Sequence, residues 1–91
     1  MEIIKYLGDK LSQQINISPP AARGLLKLSI KDELGPFIDL NQINYNDLCN
    51  VLHNSLKERL NKLEISNIEY IISYLLNELT LNQSLITIAG V

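Results

Sequence analysis

"ISPPAARGLLKLSIKDELGPF", residues 17–37, is bounded at both ends. Ser18 ahead of Pro19 is a helix start. The serine oxygen can accept from the free amides of the first turn, and proline at the first helical position gives up no needed donor and has its φ preset. Gly35-Pro36 is a helix stop, because glycine suits the position past the last turn and proline cannot continue the ladder. At about 100° per residue, Ala22, Leu25, Leu26, Leu28, Ile30 and Leu34 spread over most of the circumference. Only the sector of Arg23, Lys27 and Lys31 stays polar. The spacing predicts a helix over 19–34 that is nearly buried all round, central to an α-helical core, with the basic row as its window to water.

On the N-terminal side, Ile3, Ile4, Leu7 and Leu11 form the stripe of an amphipathic helix over about 2–14. Gly8 lies inside it at a cost of about 1 kcal/mol against alanine, which marks a close approach by another helix. On the C-terminal side, Phe37, Ile38, Leu40 and Ile43 are expected to pin an irregular segment onto the core. Two further helix starts follow. In "INYNDL" Asn44 can cap with Asp47 as its acidic partner, and Ile43 and Leu48 take the staple positions. In "ISNIEY" Ser66 and Glu69 match the capping box, with Ile65 and Tyr70 as the staple. These starts open helices over about 45–63, carrying Leu48, Leu52, Leu56, Leu60 and Leu63, and over about 67–81, whose broad apolar face includes Ile71, Ile72, Leu75 and Leu79.

The expected architecture is an all-α, bundle-like single domain over 1–91, with four helices or five, closed by an apolar tail over 82–91. That tail, ending in SLITIAGV, reads as a short strand, an extended arm or a final half-turn. A chain of 91 residues suits one modest core. No run reaches the roughly 18 uncharged apolar residues of a membrane span, so no membrane insertion is expected. "MEIIKYLGDKLSQQ" lacks the basic start and continuous apolar stretch of a secretory signal. Together with a single cysteine, Cys49, which rules out an intramolecular disulfide framework, this favours the cytoplasm.

Chemistry is sparsely declared. Cys49 and His53 are four apart and could face one zinc ion, but no second Cys/His pair completes a ligand set. The same two residues could form a nucleophilic pair only with an orienting group that the pattern does not supply. Glycines do not cluster into a phosphate-cradling loop. "DLNQINYND" has neither the mid-loop glycine nor the closing glutamate of a calcium loop. In "HNSLKER" Ser55 falls inside a helix with no aspartate before it, so the Asp-Ser-Leu of a phosphopantetheine carrier is missing. No catalytic, cofactor-binding or metal-ligating residue is therefore assigned, and neither a cofactor nor a small-molecule substrate is expected.

Two stretches remain as candidate interaction surfaces. Arg23, Lys27 and Lys31, joined by Lys57, Arg59 and Lys62 of the third helix, could grip an acidic protein or nucleic acid. A net charge of −2 works against a nucleic-acid partner. Leu85, Ile86 and Ile88 of the tail could pair with another chain, or fold back over a small core short of apolar cover. The function expected by elimination is a small non-catalytic protein-interaction or assembly module, self-associating through helix four and the tail. The alternative is a nucleic-acid-associated helical domain that uses the basic row.

Overall fold

The computed structural model describes residues 2–86, and they form an all-α fold with no strand among them. Helix α1 spans Glu2–Ile15 and α2 spans Pro19–Leu34. A 3-10 turn at Leu40–Gln42 leads into α3, a continuous helical run over 45–62. It consists of an α segment Tyr45–Asn50, a π segment Val51–Leu56 and a second α segment Lys57–Lys62. Helix α4 spans Ile68–Leu81. The four helices form a ring: α1 lies beside α2 and α4, and α3 lies beside the same two.

The ends of α2 follow their sequence signals. Ser18 accepts from the Ala21 amide at 3.3 Å, Pro19 opens the helix, and Gly35 closes it at φ 101°, where its amide still reaches the Lys31 carbonyl. A side chain at that φ would be strained. Its place in the fold differs from expectation. Ala22, Leu26, Ser29 and Ile30 are buried, but Leu28 is 47% exposed and Gly24, Lys27 and Lys31 face water. Helix α2 is one wall of the ring, not its centre, because only α1 and α3 flank it.

Gly8 is where α1 and α2 meet. A Cβ there would stand 3.2 Å from the Arg23 Cα and closer still to its Cγ, so the absent side chain sets the separation of the two helices.

Helix α3 supplies the longest buried row: Leu48, Leu52, Leu56 and Leu60 are all fully buried, with Val51 beside them. A four-residue spacing overshoots the 3.6-residue α-helical turn by about 40° a step, which over three steps would carry Leu60 about 120° away from Leu48. The π segment has i→i+5 bonding and more than four residues per turn, so it rotates the row back. Leu63, expected to extend the row, is exposed beyond the end of the helix.

The Asn44 capping box forms in full, with Asp47 N–H donating to Asn44 Oδ1 at 2.8 Å and Asn44 N–H to Asp47 Oδ2 at 3.2 Å. Ile43 and Leu48 are buried beside it. The Ser66–Glu69 box does not form. Asn67 takes the cap position in the left-handed region, at φ 60°, with no side-chain cap bond; the Glu69 carboxylate pairs with Lys57, and Tyr70 turns to solvent. Phe37 corrects another expectation: Ile43 is buried and Ile38 and Leu40 are half-buried, whereas Phe37 is 96% exposed. The turn opened by Gly35-Pro36 points it away from the core.

After α4 the chain makes a last half-turn, with Leu85 N–H bonding the Asn82 carbonyl and Ile86 N–H the Gln83 carbonyl, both at 3.0 Å. Leu85 and Ile86 pack half-buried against the core. Ile88 lies outside the described residues.

Candidate interaction surface

The basic row does not act as a unit. Arg23 lays its stem across Gly8 and its Nη1 lies 3.2 Å from Asp9 Oδ1 of α1. It is a clasp between two helices, and its stem covers apolar surface while its head reaches a carboxylate. Lys27 and Lys31 are exposed, and neither forms an ion pair among the described residues. The cations of α3 are each matched to a carboxylate: Lys57 to Glu69, Arg59 to Asp32 and Lys62 to Glu58 at 3.6 Å. Two remaining lysines on α2 are fewer cations than a phosphate-neutralising surface normally uses.

Arg59 and Asp32 form a fork, Nε and Nη2 donating to the two carboxylate oxygens. Those bonds hold the Asp32 carboxyl below its ordinary value, with the Lys62 charge adding to them against partial desolvation, and raise Arg59 in return. Beside the fork, Ser55 Oγ donates to Glu33 Oε1 at 2.8 Å. Asp32, Ser55, Glu58, Arg59 and Lys62 line a cleft of about 350 Å³. Its charges are spent on one another, and no buried side-chain polar atom among the described residues lacks a partner.

Cys49 is half-buried against the core and His53 is exposed. Among the described residues no three His, Cys, Asp or Glu side chains are grouped to hold a metal ion. No described helix is long and apolar enough to cross a membrane. Of the tail candidates, Leu85 lies against α1, where it lines a groove of about 240 Å³ with Glu2, Lys5, Tyr6 and Asp9. The start of the tail thus covers its own chain.

What sequence reasoning missed on the fourth helix is its tyrosine neighbourhood, in which Tyr70 is exposed and Tyr6, Tyr45 and Tyr74 are half-buried against the core. The chain has four tyrosines, and all four meet α4. Tyr70 and Tyr74 belong to it and stack with ring centroids 6.5 Å apart and planes 8° from parallel. Tyr6 of α1 donates to Glu78 Oε2 at 2.7 Å. Tyr45, at the start of α3, shares a hydrogen bond of 2.8 Å with Thr80 Oγ1. The Lys10 ammonium sits 5.3 Å from the Tyr6 ring centroid, in cation–π range.

At about 100° per residue, Tyr70, Tyr74, Asn77 and Leu81 fall on one stripe of α4, opposite Ile72, Leu75 and Leu79. Tyr70 is 63% and Leu81 71% exposed. The four-residue step from Tyr70 to Tyr74, off the apolar face, was the one local signal for this stripe. The approach of Tyr6 and Tyr45 has no local signal, since their partners lie 72 and 35 residues away.

Comparisons with protein-family models, with curated proteins and with solved structures find no match to this chain.

Proposed function

We propose that this domain is a non-catalytic protein-interaction or assembly module of the cytoplasm, and that it docks through the outer face of α4. The observation that carries the reading is the exposed row of Tyr70, Asn77 and Leu81 on that helix, with Tyr74 half-buried and stacked on Tyr70. Tyrosine offers a large rigid apolar body with a polar tip, and it is enriched at interfaces and among their hot spots. The stripe of Tyr70, Tyr74, Asn77 and Leu81 carries no charge, and the two carboxylates of α4 are already engaged: Glu69 by Lys57, and Glu78 by the Tyr6 hydroxyl. An approaching apolar surface therefore meets no charged side chain on the stripe itself.

The absence of catalysis in this reading is supported by the polar residues inside the fold. Ser12 and Ser29 donate to carbonyls of their own helix, and Ser55 bridges to Glu33 of α2.

The test is site-specific photocrosslinking in cells, with a benzophenone side chain at Asn77 and, as the control, at His53, which is exposed on α3. Adducts from position 77 that are missing from position 53 are expected. Equal labelling from both positions, or none from 77, would overturn the reading.

A further inference from the structure

We infer that α4 has two alternative starts that compete for Glu69, and that ionic strength selects between them. One is the start in the structure, where Glu69 holds Lys57 of α3. The other is the capping box that Ser66 and Glu69 encode, in which Glu69 turns back to the Ser66 amide. The switch stands apart from the docking reading above.

Every part of the second start is present. Ser66 and Glu69 stand three apart, and Ile65 and Tyr70 occupy the two staple positions around them. In the first start these parts are not joined. Ser66 is exposed, Asn67 holds the cap position at φ 60° and ψ 35° with no side-chain cap bond, and Tyr70 is 63% exposed and stacked on Tyr74. The Ile71 amide bonds the Asn67 carbonyl. In the box start Ser66 is the cap, Asn67 enters the right-handed region as the first helical residue, and the Tyr70 amide bonds the Ser66 carbonyl. Glu69 accepts from the Ser66 amide, and Tyr70 packs on Ile65. The backbone makes the two exclusive, because Asn67 is left-handed in one and right-handed in the other.

The two starts are closely matched. The Lys57–Glu69 pair is short, 2.5 Å, but its side chains are 38% and 80% exposed. Such a pair stabilises weakly, and salt screens it. A capping box is a set of local hydrogen bonds of comparable worth, and the left-handed strain at Asn67 is relieved with it. Asparagine tolerates that region better than most residues, so the relief is small. Low salt therefore favours the ion pair, and high salt favours the box. The output is the position of Tyr70: the ring leaves Tyr74 and the solvent for Ile65 as the box forms, so ionic strength sets how much of it α4 displays.

The test is solution NMR of the full chain, read at Asn67, whose amide–Hα coupling and carbon shifts differ between left-handed and right-handed backbone. Raising salt from about 20 mM to about 1 M is expected to raise the ratio of box to ion-pair start about two- to fivefold, the factor that an exposed ion pair is worth. Glu69→Gln removes the ion pair but keeps a side chain suited to the box, so it is expected to show the same shift at low salt. Lys57→Gln, on the other element, is expected to do likewise. Adding Ser66→Ala to the Glu69→Gln chain is expected to return Asn67 to the left-handed region.

An Asn67 signal unmoved by salt and by both single substitutions would overturn the inference. So would a shift that Ser66→Ala does not reverse, because the box would then not be what moves Asn67.

Discussion

Gly8 of α1 and Arg23 of α2 form a single contact in which the missing side chain of one makes room for the stem of the other, and the Arg23 head then reaches Asp9 one residue further along α1. Two effects of Gly8→Ala oppose each other. Alanine gains about 1 kcal/mol of helix propensity, whereas a methyl group forced against the base of a side chain and its backbone costs about 1–3 kcal/mol. The contact should win, since Arg23 Cα and Cβ lie 3.2 and 3.3 Å from the new carbon and cannot swing away. The expected net loss is about 1–2 kcal/mol, read as a lower urea midpoint. Arg23→Ala in the same chain should recover part of it by removing Cγ. A Gly8→Ala chain as stable as the parent would contradict this account of the crossing.

Two capping sequences that look alike should behave differently. Asn44→Ala breaks a formed box and should cost about 0.5–2 kcal/mol. Ser66→Ala removes a hydroxyl that caps nothing and should stay within about 0.5 kcal/mol, as for ordinary surface changes. Thermal melts of the two variants side by side decide the point, and equal losses would mean that both boxes form in solution.

Glu64 offers a stabilising change. It sits at φ 58° just past α3, where the Ile65 amide bonds the Leu60 carbonyl at 3.1 Å and the Glu64 amide bonds the Asn61 carbonyl at 3.0 Å. That is the Schellman pattern, whose left-handed residue is normally glycine. Glu64→Gly should raise stability by about 1 kcal/mol, the cost of holding a side chain in the left-handed region, and calorimetry would show it as a higher melting temperature. A lower melting temperature would mean that the Glu64 side chain contributes more than its backbone strain removes.

The four helices were legible because their signals are local. Periodicity, Ser18-Pro19, Gly35-Pro36 and the Asn44 box placed every helix end within about two residues of where it lies. What escaped depends on residues far apart in the chain. Whether Glu69 turns back to Ser66 or out to Lys57 depends on where α3 lies. Arg23 looked like part of a cationic row until Asp9 and Gly8 were brought beneath it. Hydrophobicity alone assigns Phe37 to the core, but a residue in a tight turn faces wherever the turn points it. The π segment did leave a trace, in a leucine every fourth residue over three successive steps, a row that drifts about 120° round an α-helix. The tyrosine surface left almost none.

The π segment is tied to α2 through Ser55, whose Oγ donates to Glu33 Oε1 at 2.8 Å from a nearly buried position, while Asn54 Nδ2 reaches Glu33 Oε2 at 3.4 Å. Ser55→Ala should cost about 1–2 kcal/mol in urea unfolding, because hydrogen bonds to a charged group contribute more than neutral ones. Glu33→Gln keeps an acceptor oxygen and should cost less. If the two variants are reversed in order, the bond to Ser55 is not what holds Glu33 in place.

Alkaline titration tests the link between α1 and α4. The hydrogen bond from the Tyr6 hydroxyl to Glu78, then partial burial, then the Glu78 charge, raise the Tyr6 phenol above its ordinary 10.0. Below that value Tyr6 is neutral in both the folded and unfolded chains, and its contribution to stability is complete. As pH rises through the window between 10.0 and the raised folded value, the unfolded chain loses this proton first and unfolding is favoured. Stability should therefore fall across that window, and fall less steeply in Tyr6→Phe, which keeps the ring without the proton. The tyrosinate absorbance of the parent minus that of Tyr6→Phe isolates this one titration. A difference curve centred at or below 10.0 would show that the Tyr6–Glu78 bond does not hold α1 to α4 in solution.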